Sequence, residues 1–220
     1  MTTNPRFHCW RHRARDDESL IVFPDGCRDL LIVTPERGPV QILLTALDVR
    51  PRHAHLAAGD DVVGYRLRPG TTMSPAELEA IRRAPAQSQQ ILANASRSGT
   101  DAGDAIQLLS EPGITVARAA RRHGVSLRTL QRHFISRDLP PPDFWRQLSR
   151  ARRAAAMLGQ SEPLAVIAGE CGFSDQAHMS RDLRRWFSST PAQLSRSPLA
   201  LELLRQPALG NWTGEQISTR

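Results

Sequence analysis

Thr115-Val116-Ala117-Arg118-Ala119-Ala120-Arg121-Arg122-His123-Gly124-Val125-Ser126-Leu127-Arg128-Thr129-Leu130-Gln131-Arg132-His133-Phe134 reads as two short helices on either side of a sharp turn. Val116, Ala119 and Ala120 fall at i, i+3 and i+4, a narrow apolar stripe, and the small alanines let a second helix come close. Gly124 stands where the chain must turn, a place that calls for positive φ. Ser126 is placed to cap the N-terminus of the next helix. Along that helix Leu130 and Phe134 turn inward, while Arg128, Gln131 and Arg132 point away. These are the side chains that read base edges, arginine bidentate on guanine and glutamine on adenine. One such unit is a modest signal, because ordinary helical hairpins mimic it.

A second unit repeats the logic. Pro163 to Arg181 holds a small-residue helix, a turn at Gly172, a Ser174 or Asp175 cap and a polar-faced helix that continues through Phe187. Between the two, Phe144 to Leu158 predicts one longer helix, with Phe144, Leu148, Ala151, Ala155 and Leu158 along one side. A helix of about 15 residues spans ~22 Å, enough to hold two reading heads in successive major-groove faces ~34 Å apart. Two copies joined by a helix are far more specific than one.

Charge supports the same half of the chain. All 29 basic residues are arginine, and the formal net charge is +7. Residues 1–114 hold 13 arginines against 14 carboxylates, whereas residues 115–196 hold 14 against 6. A neutral half joined to a strongly basic one points to a polyanion partner. No apolar run approaches the ~18 residues of a membrane span. The N-terminus has no basic stretch followed by an apolar core. Cys9, Cys27 and Cys171 are too scattered for a disulfide framework. The expectation is a cytoplasmic protein without membrane contact.

With these residues in view, the C-terminal half resembles the AraC/XylS family of bacterial regulators. The matching residues are Ser126, Leu130, Arg132 and Phe134 in the first unit and Arg150 and Ala154 in the linker helix. Ile167-Ala168, Gly172-Phe173-Ser174-Asp175-Gln176, His178, Ser180, Arg181, Phe187 and Pro191 complete them. The chain departs from the family pattern at Met179 and Leu183, where Phe is usual, and at Ser188, where Gly is usual. Ala192-Gln193-Leu194 also lacks the usual aromatic. The resemblance implies that Arg128, Gln131 and Arg132 enter one major groove, and Gln176, Ala177, His178 and Arg181 the next. It implies phosphate contacts from Ser126, Thr129 and Ser174. The plainer alternatives are internal ion pairs of Arg132 with Asp138 or Arg181 with Asp182, and simple surface exposure of His178.

The first part of the chain predicts short strands over residues 19–23, 29–33, 40–44 and 62–67, broken by Pro24-Asp25-Gly26 and by Pro35 to Pro39. Such spacing indicates a small antiparallel sandwich or barrel. Phe23 to Leu30 with Gly64 to Gly70 resembles the cupin-like domain ahead of some AraC-type regulators, over about residues 7–72. That likeness implies a sensing or dimerising role. Ser74-Pro75-Ala76-Glu77 is a capping box that opens a helix to about Arg83. The fold expected is therefore a two-domain α+β chain. A β-rich cupin-like domain (1–72) leads through a helical, partly flexible linker (73–103) to an all-α double helix-turn-helix domain (104–196). A tail (197–220), amphipathic at Leu199–Leu204 and loose beyond, follows.

His8, Cys9, His12, Cys27, His53 and His55 follow no standard zinc spacing, so neither metal nor cofactor is expected. Trp10, Trp145 and Cys171 read as core residues. The function expected is a sequence-specific transcriptional regulator that is not an enzyme. Its partners would be double-stranded DNA, RNA polymerase, a small-molecule effector and a second copy of the chain. Two alternatives stand beside it. One is a DNA-targeted repair or sensor protein using Cys27 as a reactive thiol, against which no nucleophile elbow or phosphate loop appears. The other is a module binding another polyanion, such as RNA, without sequence preference.

Overall fold

The computed structural model describes residues 6–94, 100–160 and 162–212. Six strands come first: β1 (Phe7–Arg13), β2 (Glu18–Val22), β3 (Asp29–Thr34), β4 (Gln41–Leu44), β5 (Arg52–Leu56) and β6 (Asp61–Leu67). They form an antiparallel four-stranded sheet in the order β1-β6-β3-β4 and a separate antiparallel pair, β2-β5. The four strands read from sequence are present. β1 and β5 are two more, and their FHCWRHR and RHAHL carry too few aliphatic residues to stand out as strands.

The helices α1 (Pro75–Arg83) and α2 (Ser88–Asn94) follow. Ser74 and Glu77 make both hydrogen bonds of the capping box that starts α1. The two helices lie on the sheet. Ile81 and Leu92 are buried in one cluster with Leu30, Ile32, Tyr65 and Leu67. The part of the expected linker read as flexible includes residues 95–99, outside the described residues.

The helical half comprises α3 (Thr100–Leu109), α4 (Val116–Arg122), α5 (Leu127–Ile135), α6 (Pro142–Met157), α7 (Leu164–Glu170), α8 (Gln176–Phe187), α9 (Pro191–Ser195) and α10 (Pro198–Arg205). α6 is the axle. Its 16 residues begin at a proline whose missing N–H costs nothing there, and they run about 24 Å. The stripe expected along one side is too narrow a picture. Trp145, Leu148, Ala151, Ala154 and Ala155 are all fully buried, because neighbours pack on several faces. Trp145 donates its Nε1–H to the Pro140 carbonyl at 3.0 Å, so its one polar atom is satisfied in the core.

The two halves share a seam. Phe23 meets Phe187 edge-to-face at 5.9 Å, and the buried cluster of the helical half includes both Phe23 and Leu209. The tail expected to be loose beyond Leu204 is wedged into that seam as far as it is described. Gln206, Ala208 and Leu209 are buried, and Leu209 donates its N–H to the Asp25 carbonyl at 3.0 Å. Gly26 allows this approach, since a Cβ there would stand 2.8 Å from the Leu209 side chain.

Two buried arginines close the seam. Arg66 reaches Asp25 and Asp29, both at 3.2 Å, and the Gln206 side chain at 3.4 Å. Burial opposes its charge, but Asp29 and Asp25 outweigh that and hold its proton more tightly than in water. Arg152, on α6, donates to the carbonyls of Leu204, Gln206 and Leu209 at 3.0–3.3 Å. Leu204 lies in the last turn of α10, whose carbonyls have no partner within the helix.

Candidate nucleic-acid interface

In the first unit Thr115 caps α4, accepting the Arg118 N–H at 3.2 Å. Ala119 and Ala120 are buried under α5. The chain then turns at Gly124 with φ +66°, a conformation that favours glycine. Val125 donates back to the Ala120 carbonyl at 3.0 Å. Ser126 caps α5 by accepting the Thr129 N–H at 3.1 Å, and the two hydroxyls lie 2.9 Å apart. Leu130 and Phe134 anchor α5 in the core. Arg128, Gln131 and Arg132 stand exposed on its other side. Among the described residues neither Arg128 nor Arg132 makes an ion pair, and the Arg132–Asp138 alternative is not realised.

The second unit reproduces this frame. Ile167 and Ala168 are the buried pair on α7, and Gly172 turns with φ +76°. Phe173 donates to the Ala168 carbonyl at 2.9 Å, the counterpart of the Val125 bond. Asp175 supplies the cap, taking the His178 N–H at 2.6 Å. That bond and the Ser174 hydroxyl hold its carboxyl below the usual carboxylate range. Met179 and Leu183 are fully buried, as is Leu194, so aliphatic residues fill the places where the family pattern has aromatics. Ser188 ends α8 at φ +52°, the left-handed conformation that explains glycine's usual presence there. Gln176, Ala177 and Arg181 are exposed and, with Ser180 and Arg184, line one shallow concavity on α8.

Four expected contact residues are already engaged within the chain. Ser126 and Thr129 bond each other. Ser174 faces His178 Nδ1 at 3.0 Å, and His178 Nε2 faces the Arg150 guanidinium at 3.3 Å. An arginine only donates, so Nε2 accepts and Nδ1 carries the proton of the neutral ring, donating to Ser174. Arg150 also pairs with Asp182 at 2.6 Å and lies 4.2 Å over the Phe173 ring. Asp182, the alternative partner considered for Arg181, thus belongs to Arg150, which braces α8 against α6. This brace and the place of Arg184 on the exposed face of α8 were missed by sequence reasoning. The spacing of Arg184 from Ala177, Ser180 and Arg181 is the signal that places it on the same face.

Elsewhere, Cys27 is buried, and burial followed by the Asp25 charge pushes its thiol well above its ordinary pKa, which disfavours the nucleophilic thiolate. Among the described residues, His8, Cys9, His12, Cys27, His53 and His55 form no cluster able to hold a metal. His12 meets Glu18 at 2.6 Å and His53 meets Ser19 at 3.1 Å. No described helix is long and apolar enough to cross a membrane.

Residues 119–197 match the helix-turn-helix domain family. Over these residues the chain is similar to the helix-turn-helix domains of that family. Among curated relatives, this domain is similar to the HTH-type transcriptional regulator VirS of Mycobacterium tuberculosis, 33% identical over 49% of this chain and 32% of the relative. The HTH-type transcriptional regulator RipA of Corynebacterium glutamicum is 29% identical over 43% of this chain and 29% of its own length. The chain thus spans about a third of the length of the curated relatives it matches. A solved AraC-type DNA-binding-domain regulator from Chromobacterium violaceum is 29% identical over 43% of this chain and 85% of its own, with a TM-score of 0.38. ToxT from Vibrio cholerae aligns over 87% of this chain and 98% of its own at 9% identity, with a TM-score of 0.47. The matched residues include both glycine turns, the braced helix α6, and α5 and α8.

Proposed function

We propose that the chain regulates transcription by binding duplex DNA in a sequence-specific way, with α5 and α8 in two successive major-groove segments. The observation that carries this reading is the repeated frame. Two helix pairs with matching glycine turns and return hydrogen bonds each leave a polar helix face exposed, and α6 joins them. Arg128, Gln131 and Arg132 read one segment, and Gln176, Ala177 and Arg181 the other. Ser126, Thr129 and Ser174 sit at the helix starts, where phosphates are drawn to backbone N–H groups. His178 orients the start of α8 while it remains beside the groove.

Phosphate neutralisation by the arginine-rich half supplies most of the affinity. RNA polymerase is the partner through which such binding acts, and a second copy of the chain would engage through the β half. The reading assigns the chain no catalytic role. The test is site selection from random duplexes with the purified protein, followed by a salt titration on the best site. A defined two-part motif with steep salt dependence is the expected result. Salt-sensitive binding to all sequences alike would overturn sequence-specific reading.

A further inference from the structure

The helices α5 and α8 match residue by residue when their buried anchors are paired, Leu130 with Met179 and Phe134 with Leu183. In that frame Arg132 stands where Arg181 does, Gln131 where Ser180 does and Arg128 where Ala177 does. The next position on the same face breaks the likeness. Arg184 of α8 is matched in α5 by Ile135, at 73% the most exposed large hydrophobic side chain among the described residues.

Ile135 belongs to the polar side of α5. It follows Arg128 by seven residues, Gln131 by four and Arg132 by three, the spacings of one helix face. Leu127, the other exposed aliphatic residue of α5, is placed differently. It precedes Leu130 by three and Phe134 by seven, and so extends the buried stripe. The end of α5 is also closed. The Ile135 carbonyl accepts the Asp138 N–H at 3.0 Å, and the Phe134 carbonyl accepts those of Arg137 and Leu139 at 3.2 and 3.0 Å. Leu139 is buried just beyond, which fixes the backbone that presents Ile135.

An isoleucine side chain can bond neither a phosphate nor the polar edge of a base. The apolar group that the major groove does present is the 5-methyl of thymine. Ile135 lies about 10 Å beyond Arg128 along the helix axis, about three base steps of ~3.4 Å. We infer that Ile135 is a specificity-determining residue, packing on the 5-methyl group of a thymine at one edge of the segment read by α5. With Arg184 at the same place in α8, that preference is confined to the first segment. The inference rests on the proposed DNA reading and adds to it one residue, one base and one chemical group.

The experiment starts from the best duplex obtained by site selection with the full chain. The α5 segment is the part of the motif that Arg132→Ala relaxes. Each thymine in it is replaced in turn by deoxyuridine, which pairs with adenine in the same way but lacks the methyl group. One replacement should weaken wild-type binding about threefold to tenfold in competition at fixed salt. Ile135→Ala should bind the thymine and deoxyuridine duplexes equally, and Ile135→Val should keep part of the difference. Melting curves check that these variants, changed at an exposed position, fold as the wild type does. A segment without thymine, no effect of any replacement, or an effect that Ile135→Ala leaves unchanged would overturn the inference while the two-part motif stands. A selection that returns no motif would overturn the DNA reading, and this inference with it.

Discussion

The two helix-turn-helix units have the same backbone plan but are held in different ways. The first relies on its core and an uncharged cap. Leu130 and Phe134 are buried, Ser126 closes the turn, and among the described residues Arg128 and Arg132 make no ion pair with α6. The second is fastened to α6 by Arg150, which joins Asp182, His178 and Phe173 in one network, and its cap is the carboxylate of Asp175. The first unit is therefore set by its core and its cap, and the second has an ion-paired tie to α6 besides. Their stability and their response to pH should differ although their shapes do not.

The largest expected effect separates them directly. Arg150→Ala strands Asp182, whose side chain is only 14% exposed, and removes the cation over Phe173. It should cost about 3 kcal/mol, and amide exchange should show the loss in α7 and α8 while α4 and α5 keep their protection. Next come the reading faces. Arg132→Ala and Arg181→Ala should each cost ~1–3 kcal/mol of binding and relax specificity in different parts of the selected motif. Equal loss on every duplex would assign the arginine to phosphate instead.

Ser126→Ala should cost about 1 kcal/mol in thermal unfolding, and it acts only on the first unit. Ser188→Gly should stabilise the second by roughly 0.5–1 kcal/mol, because it relieves the left-handed backbone at φ +52°. The smallest effect concerns acid. Asp175 has a depressed carboxyl pKa in the folded chain. Its contribution is present above the ordinary carboxylate range and is lost as pH falls through the lower folded value. Below about pH 4, the start of α8 should fray before that of α5 in amide exchange. Asp175→Asn, which can still cap, should abolish the difference.

The helical half was legible because its signals are local. Gly124, Gly172, Ser126 and Asp175 fix turns and caps through their own neighbours, and the buried alanines repeat at helical spacing. What escaped depends on residues far apart in the chain. β1 owes its place to pairing with β6, and its own Cys9 and His12 carry little strand signal. The Arg150 brace joins positions 28 and 32 residues apart. The packed segment at 206–209 is fixed by Asp25, Arg66 and Arg152, none of which a local pattern could connect to it. Ser174 and His178 look like free polar groups in sequence, and only the fold shows that they bond each other.

That packed segment also bears on how the molecule is made. Arg66 and its partner Gln206 are separated by 140 residues. At ~5–20 residues per second, a ribosome takes on the order of ten seconds to travel that far. The β half is therefore synthesised early, with the Arg66 cluster facing a seam that stays open until Gln206 and Leu209 emerge. Its completion waits for that later segment, and a chaperone that shields Phe23 in the interval would have a defined task.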